Sequence, residues 1–121
     1  MSALVVVGIA LAGGIGAIGR LLVDGAIAGR TSISFPAGTF AVNLSGALVL
    51  GMLVGATTDA DAVDLVATGL LGSFTTFSTW VFESQRLGED GEPGLAALNL
   101  GLSLVLGVAL AWLGVEIGEA L

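Results

Sequence analysis

Residues 72–83 read GSFTTFSTWVFE. The stretch lies inside a long apolar run, yet its positions include five hydroxyl side chains, four aromatic rings and a closing carboxylate. The composition around it decides the solvent: 55% of the 121 residues are hydrophobic, 11% are charged, and mean hydropathy is +1.05. Soluble domains carry about 25% charged residues, so most of this surface faces something other than water. Crossing roughly 30 Å of hydrocarbon takes ~20 apolar residues in a helix that rises about 1.5 Å per residue. Four stretches qualify, from Leu4 to Leu22, Gly38 to Ala56, Val63 to Phe82 and Leu95 to Val115. The chain reads as one all-α membrane domain of four short spans, with the quoted stretch closing the third.

The connecting pieces are short and polar. Pro36 stands where a helix favours its first residue, with Ser32 and Ser34 as capping oxygens, so the second helix is expected to begin near Phe35. Glu92, Pro93 and Gly94 break the chain, and Leu95 is expected to open the fourth helix. The first apolar stretch starts without Lys or Arg, which argues for a true span and against a cleaved leader. There is no Cys, no His and no Lys, and no pair of buried carboxylates, which leaves acid, base, thiolate and metal chemistry without residues. An enzyme is not expected. A net charge of −7 argues against nucleic acid as a partner.

Glycine is abundant, with 20 residues. Gly25 and Gly29, Gly51 and Gly55, Gly114 and Gly118, and Ser103 with Gly107, are small residues four apart, a spacing that lets helix backbones approach closely in lipid. Gly13, Gly16 and Gly19 form a further smooth stripe. Residues 14–19 spell GIGAIG, a literal dinucleotide-binding fingerprint. That motif also needs a strand–helix–strand unit and an acid at the end of the second strand, and GTFAVNLSG at that distance has none. A packed membrane helix is the better reading.

Charge near the bilayer centre costs roughly 2.5 to 3.5 kcal/mol on insertion scales, so ionisable groups in spans need partners or a wet cavity. Arg20 and Asp24 lie one turn apart near the end of the first span, and Glu83 and Arg86 three apart near the end of the third; each spacing suits a local ion pair. The deeper Arg20 and Glu83 suit either a buried structural role or a pore. Asn43, in the second span, either ties helices together or faces a polar path, because an unbonded amide in hydrocarbon costs several kcal/mol. Ser103 by itself can bond its own helix backbone.

The quoted stretch is different in kind. Gly72, Ser73, Thr75, Thr76, Ser78 and Thr79 put weak helix formers in consecutive turns, which predicts a break in the third helix. Broken backbone at membrane depth survives only where protein or water surrounds it. Freed carbonyls there can hold a cation, and a new helix N-terminus favours an anion. Phe77 and Trp80 share the face of the helix that follows, and an aromatic ring edge is electropositive.

Taken in order, GGIGAIGR ending at Arg20, PAGTFAVNLSG with Asn43, and GSFTTFSTWVFE resemble the three span motifs of the Fluc fluoride channels. The resemblance covers nearly the whole chain. It implies a dual-topology, antiparallel homodimer or heterodimer of two four-span subunits, multi-pass in the cell membrane and surrounded by lipid, with narrow pores for fluoride moving passively out of the cell. It further implies that Asn43, Phe77, Ser78, Thr79, Trp80 and Ser103 line a pore. Backbone carbonyls of Gly72 and Thr75 would hold a structural sodium ion, and Arg20 and Glu83 would be charges near the pore mouths.

Two positions depart from that pattern. Trp80 stands where a second Phe is usual, bringing a larger ring with an N–H donor, and Asn99 stands four before Ser103 where a Tyr is common. Either departure suits a subunit that works beside a different partner. Arg20, Arg30 and Arg86 fall on one side, which by the positive-inside rule puts the first and third loops in the cytoplasm. Two other functions share parts of the layout. A proton-coupled small multidrug-type exporter needs an embedded carboxylate in the first span, where Asp24 is only terminal. A non-transporting scaffold would leave the hydroxyl-rich stretch without a purpose.

Overall fold

The structure, a computed structural model, describes residues 2–30 and 34–121. Every regular element in them is helical: α1 (Ala3–Ala28), α2 (Ala37–Ala56), α3 (Ala60–Val63), a π-helical stretch (Asp64–Leu71), α4 (Gly72–Phe74), α5 (Phe77–Glu89) and α6 (Pro93–Glu119). Four segments are long and apolar enough to cross a membrane: α1, α2, α6 and the composite run Ala60–Glu89. The GIGAIG motif sits wholly within α1, and no strand occurs among the described residues.

Helix ends differ from the sequence expectation by a residue or two. Pro36 is the cap and not the first helical residue of α2, and no side chain caps that helix, so Ser34 does not serve as expected; Ser32 lies outside the described residues. Pro93, expected to break the chain ahead of a helix at Leu95, occupies the first position of α6. Proline is tolerated there because its missing N–H would have had no partner anyway. Gly91, with φ of 80°, makes the left-handed turn between α5 and α6. Ser2 caps α1 by accepting from the Val5 N–H.

The interior is thin and unusually polar. Among the described residues the buried apolar side chains are Val42, Leu71 and Leu87, and beside them lie the buried polar ones Thr39, Ser84 and Asn99. Leucines, isoleucines and valines of α1 and α6 point outward instead. A water-soluble domain of this size would invert that arrangement.

Backbone proximity replaces large side chains as the source of packing. α2 and α6 run against each other through the predicted glycine pairs. A Cβ on Gly51 or Gly55 would strike the carbonyls of Ala111 or Val115, and one on Gly114 or Gly118 those of Leu48 or Met52. On α1, Gly16 lies under Leu70 and Ser73, so that part of the stripe meets the third segment of the same chain. Among the described residues Gly25 has nothing within 4 Å, and Gly29, which caps α1, meets only its own helix, so that pair joins no two helices there.

Candidate functional site in the third membrane segment

The third segment departs from α geometry twice. Over Asp64–Leu71 it winds as a π-helix, which ends with the Gly72 N–H bonded to the Ala67 carbonyl. At Thr75 (φ −80°, ψ 160°) and Thr76 (φ −147°, ψ 123°) the backbone is extended before α5 begins. The main-chain groups of Thr76 are taken by a side chain. Asn43 Nδ2 donates to the Thr76 carbonyl at 2.9 Å, and the Thr76 N–H donates to Asn43 Oδ1 at 2.8 Å. The Thr76 hydroxyl accepts from the Thr79 N–H at 3.3 Å and so caps α5.

Those partners decide what is left over. In an uninterrupted helix the Thr76 N–H would meet the Gly72 carbonyl, and the Thr79 N–H the Thr75 carbonyl. Here Asn43 and the Thr76 hydroxyl hold those donors, which releases the Gly72 and Thr75 carbonyls from their usual bonds. Thr75 itself turns its N–H and hydroxyl back to the Leu71 carbonyl. Gly46 allows the approach, since a Cβ there would collide with the Thr75 methyl group.

A second rung joins the same two helices one turn away. The Thr39 hydroxyl donates to Glu83 Oε1 at 2.5 Å. Thr39 and Asn43 are four apart on α2, and Thr76, Thr79 and Glu83 share a face at the start of α5, so the two rungs fix an antiparallel polar seam. Thr79 faces a hollow of about 140 Å³ along that seam, with Arg20, Asp24, Thr39, Val42 and Thr76. Arg20 Nε is buried there without a hydrogen-bond partner among the described residues.

Neither predicted ion pair forms within 4.0 Å. Glu83 turns to Thr39 instead of Arg86, although Arg86 lines the same outer hollow, and Asp24 leans over Gly38 in the first turn of α2. A carboxylate in that position complements the positive end of the helix dipole.

Phe77 and Trp80 are one turn apart in an edge-to-face arrangement, with ring centroids 5.5 Å apart and planes at 64°. Phe77 is 73% exposed and Ser78 is exposed beside it. Both rings border a hollow of about 350 Å³ that also reaches Asn43, Gly72, Thr75 and Thr76. Trp80 borders a second hollow, of about 280 Å³, with Asn43 and Ser103. Its indole N–H is not free: it donates to the main-chain carbonyl of Asn99 at 3.1 Å. Asn99, fully buried, donates Nδ2–H to Ser84 at 2.8 Å, and Ser84 donates to the Trp80 carbonyl at 2.8 Å. Ser103 reaches the Asn99 Oδ1 at 3.4 Å, so its hydroxyl is turned to a side chain and not to its own helix backbone.

The structure thus brings Asn43, Gly72, Thr75, Phe77 and Trp80 around one hollow, with Ser103 across Trp80 and with Arg20 and Thr79 along the seam. Glu83 closes the seam at its outer end, and Ser78 stands on the exposed face of α5. Thr39 and Ser84 escaped the sequence reading. Thr39 was signalled by its place one turn before Asn43, and Ser84 by its place one turn after Trp80.

The family model described as CrcB-like protein, Camphor Resistance (CrcB), matches residues 7–115. The chain is 48% identical over 113 residues to the fluoride-specific ion channel FluC 2 of Mycolicibacterium paratuberculosis, covering 93% of each chain. It is 44% identical over 116 residues to the fluoride-specific ion channel FluC 1 of Symbiobacterium thermophilum, covering 91% of this chain and 94% of that one. With the fluoride-specific ion channel FluC of Acidobacterium capsulatum it shares 40% identity over 119 residues, 92% of this chain and 93% of that one. Matched over nearly its whole length by that model and by these relatives, the chain belongs to the CrcB-like protein family.

Proposed function

We propose that this chain is a subunit of a passive fluoride channel in the cell membrane, and not an enzyme. The observation that carries the reading is the Asn43 clamp on Thr76, which starts α5 inside an apolar segment beside an aromatic pair. A helix N-terminus offers N–H donors and the positive end of a dipole, which suits an anion. Phe77 and Trp80 add ring edges, while Ser78, Thr79 and Ser103 add hydroxyls in place of the water a small anion gives up. Arg20 attracts the anion toward the seam, and Glu83, bonded to Thr39, stands at its end. The names of the relatives support fluoride as the ion carried.

The interruption at Thr75 and Thr76 is read as a functional break at membrane depth, where freed carbonyls require a partner. The carbonyls of Gly72 and Thr75 have lost their helical donors, so they fit a structural sodium ion, which would neutralise the oxygens gathered there. The chain works as a single four-span subunit in an antiparallel dimer, homodimeric or with a second such subunit. Fluoride efflux from liposomes that contain this chain alone tests the reading. Release of fluoride without chloride is the expected result, and a membrane as tight to fluoride as protein-free liposomes would overturn it.

A further inference from the structure

Trp80 brings to the aromatic pair the one strong hydrogen-bond donor that a phenyl ring lacks, and the structure shows that donor turned away from the hollows. The Trp80 ring is held by the main-chain carbonyl of Asn99, at 3.1 Å from the indole nitrogen, and the Trp80 main chain is held by the Asn99 side chain through Ser84, in two steps of 2.8 Å each. Asn99 is 0% exposed, so its side-chain amide, left without Ser84 and Ser103, would be unpaired in an apolar interior. Trp80 is therefore tied at two places to one residue of the neighbouring helix. Turning its N–H toward Asn43 would undo the bond that orients the ring.

We propose that Asn99 is a positioning residue for the ion path: it takes up the indole N–H of Trp80 and fixes the ring so that a carbon–hydrogen edge, and not the N–H, meets the passing anion. The proposal rests on the ion-path reading above. The Asn99 side chain, acting through Ser84, holds the Trp80 main chain that presents the ring to the Asn99 carbonyl.

The test uses the full chain in lipid, with Trp112→Phe leaving Trp80 as the sole indole of the two in the sequence. Trp112 is exposed and lines none of the hollows described above, so this background is expected to conduct as the parent does. With ¹⁵N-labelled indole, the N–H resonance is expected to stay in place when sodium fluoride replaces sodium chloride. A saturable displacement by fluoride would mean that the N–H meets the ion, and would overturn the proposal.

Asn99→Ala keeps the main-chain carbonyl but removes the tie through Ser84 to the Trp80 main chain, and is expected to move that resonance and to lower fluoride flux by about tenfold, the scale of that lost hydrogen bond. Ser84→Ala, a milder change, is expected to act in the same direction. Placed on Trp80→Phe, which keeps the carbonyl that Ser84 holds but has no N–H to misdirect, both substitutions are expected to have a smaller effect on flux, because coupled residues are non-additive. Equal losses with Phe or Trp at position 80 would overturn the positioning role, as would an unmoved resonance in Asn99→Ala. If the parent passes no fluoride while Asn99→Ala still moves the resonance, the anchor stands and the ion-path reading is what failed.

Discussion

Asn43 gives both ends of its amide to the main chain of one residue, Thr76, which lies 33 positions away and outside any helix. A carboxylate at position 43 would still accept from the Thr76 N–H, but would set a charged oxygen against the Thr76 carbonyl. Asn43→Asp is therefore expected to abolish fluoride efflux from liposomes and to destabilise the fold. The unmet carbonyl alone costs about 1–3 kcal/mol, read from the shift of the unfolding midpoint in detergent. Flux at the parent rate would remove Asn43 from the site.

Phe77 separates transport from stability. Its ring is 73% exposed and its partner in this chain is Trp80. Phe77→Ile removes an electropositive edge and an aromatic pair worth about 0.5–1.5 kcal/mol beyond burial. Fluoride efflux is expected to fall by at least tenfold while the unfolding midpoint moves little. A large midpoint shift with flux retained would make the residue structural.

Thr39 supplies the hydroxyl that meets Glu83. Thr39→Val keeps the volume and leaves a carboxylate without that donor, at a cost of about 1–3 kcal/mol. Adding Glu83→Gln removes the charge that needed the donor, so the double variant is expected to recover part of the stability lost in Thr39→Val. Additive losses in the double-mutant cycle would show that the two side chains act independently.

Much of this was legible in the sequence, and the reason lies in the solvent. Hydrocarbon penalises every polar group, so Asn43 and the hydroxyls of residues 73–79 were conspicuous against Leu, Val and Gly. The glycine pairs of α2 and α6 were equally plain, because close approach in lipid leaves few alternatives. What escaped were relations that depend on side-chain direction. Glu83 and Arg86 have the spacing of an ion pair, yet Glu83 reaches across to α2. The N–H of Trp80 looked available to an ion until its carbonyl partner on Asn99 was visible. Thr39 and Ser84 were missed because single hydroxyls in membrane helices so often bond their own backbone.

The freed carbonyls of Gly72 and Thr75 yield a prediction about salt. If they hold sodium, exchanging sodium for N-methylglucamine in the sample is expected to lower the unfolding midpoint, and adding sodium back to restore it with a saturating dose dependence. Potassium, larger and less suited to a tight carbonyl site, is expected to restore less. An unfolding midpoint identical in all three salts would count against sodium at these residues.

The interface of α2 with α6 supports the last prediction, because its tolerance is set by backbone and not by side chains. A methyl group on Gly114 would meet the carbonyl of Leu48, which cannot rotate away, whereas one on Gly88, near the end of α5, meets nothing within 4 Å. Gly114→Ala is expected to push α2 and α6 apart and to destabilise the protein by about 1–3 kcal/mol, the usual cost of overpacking. Gly88→Ala is expected to stabilise it by roughly 0.5–1 kcal/mol through helix propensity. Because α2 carries Asn43 and α6 carries Asn99, Gly114→Ala is also expected to slow fluoride efflux, with Gly88→Ala as the control. Equal unfolding midpoints and fluxes for the two variants would show that the close approach of α2 and α6 does not hold the seam in register.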